Sequence, residues 1–75
     1  MSKTFSGKQI VKVLEKYFGF KVVFQKGSHV KVIKEVKNKV ITSIVSLHKE
    51  IAEGTLHGIL KLAEIEKKDF LKHAK

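Results

Sequence analysis

Cysteine is absent from the 75 residues, which removes disulfide staples, thiolate nucleophiles and the usual structural zinc sites together. Proline and tryptophan are absent as well, and no proline-rich linker, internal repeat or low-complexity tract divides the chain. Arginine is missing, so all 16 basic side chains are lysines. Phosphate contacts would then be made by compact ammonium groups rather than bidentate forks, which suits backbone binding more than base reading. Aromatic residues are scarce at 8%, too few for a sheet that stacks single-stranded bases once the core has taken its share. No apolar run approaches the roughly 20 residues of a membrane-spanning helix, and the opening Met1 to Gly7 is polar rather than leader-like. A soluble, cytoplasmic protein with no membrane contact is expected.

Negative charge is the other shortage. Seven acids against 16 lysines leave a formal charge of +9 with the four histidines neutral. At 43% hydrophobic the chain folds rather than staying disordered, so this charge sits on a folded surface and attracts polyanions. Nucleic acid is the first partner to consider. The length fits one domain over residues 1–75, burying only about 60–65% of its unfolded surface. There is room for a thin core and none for a deep cavity between lobes, which excludes large multistep enzymes.

Ile10, Val13, Leu14, Tyr17 and Phe18 recur at the spacing that lines one helix face, predicting a helix over 7–18 with Tyr17 in its apolar stripe. Ser6 and Gln9 have the form of a capping box, and Gly19 supplies a left-handed stop with Phe20 folding back. The period then changes to two. Phe20, Val22 and Phe24 alternate with Lys21, Val23 and Gln25 up to a break at Lys26-Gly27-Ser28; His29 to Lys34 alternates again up to Lys37-Asn38-Lys39; Val40 to Leu47 reads as a third strand. Short connections predict a three-stranded antiparallel meander. His48 to Gly54 reads as a polar loop, with Gly54-Thr55 capping a second helix through Leu56, Ile59, Leu60 and Ala63. Glu64 to Ala74 either extends that helix or forms a short extra one packing Phe70 and Leu71 on the core. The expected class is α+β: a helix, a three-stranded antiparallel sheet and a helix, with both helices on one sheet face and the other left for a partner.

The histidines at 29, 48, 57 and 73 are 19, 9 and 16 positions apart, which is not the spacing of a helical metal pair; no metal site is expected. His29 differs from the others in following Lys26-Gly27-Ser28 at the start of a strand. Glycine admits a ligand close to the backbone, Ser28 offers a hydroxyl and an amide, and Lys26 and Lys31 can hold phosphate on either side of the imidazole. An imidazole so placed can take the proton of a ribose 2′-hydroxyl while the ammonium groups stabilise charge growing on the phosphate, cleaving RNA without a metal. The residue types leave a second reading open, a strand-start histidine held for structure. His48, past the third strand, is a candidate assisting acid or phosphate contact; His57 and His73 carry no argument.

Taken together, Ser6-Gly7-Lys8-Gln9-Ile10-Val11 through Tyr17-Phe18-Gly19-Phe20, then Gln25-Lys26-Gly27-Ser28-His29, then Gly54-Thr55-Leu56 to Ile59-Leu60 resemble the HicA family of bacterial and archaeal toxins, the YcfA-type mRNA interferases. The resemblance implies a fold like that of double-stranded RNA-binding domains. It also implies an endoribonuclease that cleaves mRNA with His29 as catalytic residue and a HicB antitoxin as partner; from the residues themselves no cofactor is expected. The RNA-binding set would be Lys26, Gly27, Ser28, Lys31 and His48. Two departures from the family pattern are the absence of proline in Ser46-Leu47-His48 and the presence of Glu64 where the family commonly has glycine. The alternatives are a non-catalytic binder of structured RNA with the same fold and a subunit whose role is assembly alone.

Overall fold

A computed structural model describes residues 4–74; the first three residues of the polar opening and Lys75 lie outside the described residues. The element order is α1 (Gly7–Tyr17), β1 (Lys21–Lys26), β2 (His29–Val36), β3 (Lys39–Ser46), α2 (Glu53–Ala63) and α3 (Lys67–His73). The strands form one antiparallel sheet in the order β1-β2-β3, so the α+β class and the meander stand as expected. Glu64 to Ala74 resolves into a separate third helix. Among the described residues no helix is long and apolar enough to cross a membrane.

α1 begins at the predicted capping box: the Ser6 hydroxyl accepts from Gln9 N–H at 3.1 Å, and Gln9 Oε1 accepts from Ser6 N–H at 2.8 Å. It ends where Gly19 takes φ 77° and Phe20 N–H donates to the Leu14 carbonyl at 3.1 Å. That reversal carries Phe20 into the core beside Ile10, Val13 and Leu14. Tyr17 departs from the expectation. It is 46% exposed, and its ring stacks on His73 of α3 at 4.3 Å between centroids, with Phe18 edge-on to the same imidazole at 5.6 Å. The end of the apolar stripe of α1 thus meets α3 through the His73 ring, with Phe18 also packed against the core.

Alternation along the strands decides what the sheet buries. Val30 and Val32 of β2 and Ile41 and Val45 of β3 point inward to Leu56, Ile59 and Leu60 of α2 and Leu14 of α1, while Val40 and Ile44 point outward. Ser43 takes an inward position without cost because its hydroxyl donates to the Ile59 carbonyl at 2.9 Å, fixing α2 across β3. The segment read as a polar loop before α2 also enters the core: Ile51 is buried, and its N–H donates to the Phe5 carbonyl at 2.8 Å. Phe5 in turn meets Phe70 edge-to-face at 5.4 Å.

α2 starts at Glu53, two residues before Thr55, with Ala52 at its N-cap and no side-chain cap. Lys67 donates to Glu53 at 2.9 Å, and this hydrogen bond, with the ammonium charge, holds the Glu53 carboxyl below its ordinary range. The contribution is present above that range and lost as pH falls through the lowered value. α2 ends in a Schellman arrangement: Ile65 N–H donates to Leu60 O at 2.9 Å and Glu64 N–H to Lys61 O at 3.2 Å. Glu64 sits at φ 59°, ψ 42°, the left-handed position usually given to glycine. Its carboxylate compensates in part by pairing with Lys39 at 3.0 Å. In α3, Phe70 is fully buried, whereas Leu71 is 42% exposed and does not share the core role expected of the pair.

Gly7 marks the closest backbone approach made by any of the glycines. A Cβ there would overlap the Ser46 carbonyl oxygen and lie 2.7 Å from the Leu47 Cα. Gly7→Ala is therefore expected to destabilise by about 1–3 kcal/mol, because backbone rather than a flexible side chain must move; urea denaturation measures it. Glu64→Gly is expected to stabilise by about 1 kcal/mol in the same assay. The left-handed conformation costs a non-glycine residue about 1–2 kcal/mol, more than the ~0–1 kcal/mol of an exposed ion pair.

Candidate functional site

β1 and β2 are joined by the two-residue turn Gly27-Ser28, with Gly27 at φ 58° and Lys26 paired across it with His29. A positive φ at the first loop residue is where tight hairpins take glycine. Two further bonds tie down the exit of β3 beside this turn. Leu47 N–H donates to the Ser28 carbonyl at 2.6 Å, and Gly7 N–H donates to the His48 carbonyl at 2.9 Å. The turn is thereby tied both to the third strand and to the start of α1.

Because Val30 and Val32 face the core, His29 and Lys31 face the opposite side, which no helix covers among the described residues. On β1 strict alternation would place Phe24 with Val22 on the inner side. It does not, because the register shifts between Val22 and Phe24: Val22 lies opposite Val32, Phe24 opposite Lys31 and Gln25 opposite Val30. Val23 is the extra residue of a β-bulge, and the bulge turns Phe24 outward. β3 completes the pattern, with Ile44 opposite Lys31 and Ser46 opposite His29.

Two cross-strand rows result on the open face, Lys26-His29-Ser46 and Phe24-Lys31-Ile44. Directly opposite residues share a face with Cβ atoms about 4.5–5.5 Å apart, so each row is a contact surface. A shallow cleft of about 640 Å³ over this corner is lined by Phe24, Lys26, Gly27, Ser28, His29, Lys31 and Ile44. Its lining contains cations and no carboxylate. Among the described residues no side-chain hydrogen bond or ion pair engages Lys26, His29 or Lys31; the ion pairs lie elsewhere, at Lys39–Glu64, Lys67–Glu53, Lys68–Glu66 and Lys72–Asp69. The cleft can therefore present two free ammonium groups and an imidazole to a polyanion without first breaking an internal pair.

The structure brings five of the six sequence-predicted site residues together: Lys26, Gly27, Ser28, His29 and Lys31. His48 is not among them. Its carbonyl serves the start of α1, its side chain is exposed, and it does not line the cleft. His57 is exposed on α2, and His73 is taken up by the Tyr17 stack. Among the described residues no three His, Cys, Asp or Glu side chains come together as a metal site.

Phe24 and Ile44, 58% and 42% exposed, are the lining residues that reasoning from sequence missed. Aromatics are few on this face, as the composition leads one to expect, but Phe24 does face outward and lines the cleft. A signal existed. Counting inward from the two-residue turn pairs Lys26 with His29 and places Phe24 opposite Lys31, outward; counting forward from Phe20 places it inward. The two counts agree only if one residue between them is a bulge.

A family model for the HicA toxin of bacterial toxin-antitoxin systems matches residues 7–65. The match takes in α1, the whole sheet and α2 and stops before α3. No curated protein and no solved structure matches the chain.

Proposed function

Since the chain belongs to the HicA toxin family of toxin-antitoxin systems, we propose that it is a metal-independent endoribonuclease that cleaves mRNA in the cytoplasm. His29 is its catalytic residue and a HicB-like antitoxin its inhibitor. The observation that carries this reading is the corner where an unpaired imidazole lies between Lys26 across the strand and Lys31 along it, in a cleft without a carboxylate.

The chemistry follows from that arrangement. His29 takes the proton of a ribose 2′-hydroxyl, the 2′-oxygen attacks the neighbouring phosphorus, and the bond from phosphorus to the 5′-oxygen breaks, leaving a 2′,3′-cyclic phosphate while the departing 5′-oxygen takes a proton from water. The ammonium groups of Lys26 and Lys31 stabilise the added negative charge on the phosphoryl oxygens as it develops. Gly27 lets the strand approach the turn, and Ser28 orients it through its hydroxyl or amide. An acidic antitoxin surface laid over the same two rows would compete directly with the phosphates.

A second reading, a non-catalytic binder of structured RNA, is favoured by one observation: His48 stands outside the cleft, so no second histidine lines it beside His29. Incubating the protein with a long mixed-sequence RNA in EDTA separates the two. Under the toxin reading the wild type cuts, and His29→Ala lowers the rate by at least the ~10²–10⁴-fold of a lost general base while binding is retained. Binding without cutting by either protein supports the binder instead. Lys31→Gln is expected to weaken RNA binding and to lower the slope of log K against log salt by about 1, the release of one condensed counterion.

A further inference from the structure

We infer that Phe24 is a substrate-positioning residue, a platform on which a base of the bound strand stacks while the adjacent phosphate lies at His29. The inference rests on the RNA reading of the same cleft and adds to it a residue and a mode of binding.

Three features of the molecule carry it. Phe24 is 58% exposed on an edge strand, where natural sheets place charged or polar side chains to avoid unwanted pairing. Nothing in the core asks for it: the bulge at Val23 takes it away from the inner side, and Gln25 occupies the inward position opposite Val30. Its row neighbours Lys31 and Ile44 line the same cleft as His29. The Phe24 row lies two residues along β2 from the His29 row, a rise of about 7 Å. A base on the ring and the phosphate next to it therefore reach both rows at once.

The charge of the cleft selects the occupant. With lysines and no acid around the ring, the surface is complementary to a ligand that alternates negative phosphates with flat apolar rings, which describes an unpaired stretch of RNA. A base inside a duplex has no free face to offer, so the strand is bound unstacked at this point. Stacking tolerates any base, in keeping with a cleft that lacks arginine forks.

The test uses the His29→Ala chain, which keeps the RNA intact, and a short single-stranded oligoribonucleotide carrying one 2-aminopurine. With Phe24 present, binding quenches the 2-aminopurine fluorescence. Adding Phe24→Leu, which keeps apolar bulk without a π face, weakens binding roughly 5- to 100-fold. Phe24→Tyr in its place preserves both affinity and quenching. The loss for Phe24→Leu is the same at low and high salt, unlike that for Lys31→Gln, because stacking releases no counterions. Equal RNA binding with and without the Phe24→Leu substitution overturns the inference while leaving the RNA reading intact, and hands the exposed ring to a protein partner. Absence of RNA binding by every variant overturns both.

Discussion

Two backbone hydrogen bonds at the exit of β3 hold the rest of the molecule in relation to itself. Leu47 N–H donates to Ser28 O, and Gly7 N–H donates to His48 O. Through them the turn that presents His29, the end of the third strand and the first residue of α1 share one short stretch of chain. The contact is so close that residue 7 has no space for a side chain. The same helix start is fixed by the Ser6–Gln9 capping box, and the helix it begins buries Ile10 and Leu14 completely. The position of the turn is thereby coupled to core packing, which is how an exposed loop on so small a fold acquires a defined geometry.

Charge is distributed to the same end. Of the seven acids, Glu53, Glu64, Glu66 and Asp69 lie in or between the last two helices and are engaged by Lys39, Lys67, Lys68 and Lys72. These exposed pairs contribute little stability individually. They do place negative charge away from the corner of the open sheet face where, among the described residues, Lys26 and Lys31 stand unpaired around His29. The HicA family match ends at residue 65, before α3, yet α3 buries Phe70 against Phe5 and closes the end of α1 through the His73 stack.

Much of the fold was legible because its signals are local. A capping box, a glycine stop and a change of period from 3.6 to two depend on neighbours within a few residues, and each is found where expected, at Ser6, Gly19 and Lys21. Asn38 at φ 79° forms the second turn for the same reason. The misreadings are of a different kind. Tyr17 and Leu71 have core periodicity, but whether a periodic residue is buried depends on what packs against it: Tyr17 meets the His73 ring of α3 and stays half exposed, and Leu71 is left 42% exposed. Ile51 lies in a polar stretch and is buried because it bridges to Phe5, 46 positions earlier in the chain.

The candidate site divides along the same line. Sequence by itself determined the Lys26-Gly27-Ser28-His29 turn, the lysine two residues further on and the family, because a tight turn and an alternating strand fix which side chains share a face. Tertiary structure alone decided that Phe24 and Ile44 join that face and that His48 does not. The first depends on a register shift between two strands, and the second on where the chain goes after β3 once its backbone is committed to the start of α1. In the first the count from the turn and the alternation from Phe20 disagree, and only the pairing of β1 with β2 decides between them; the second is a relation between segments distant in sequence, which no local pattern of residues encodes.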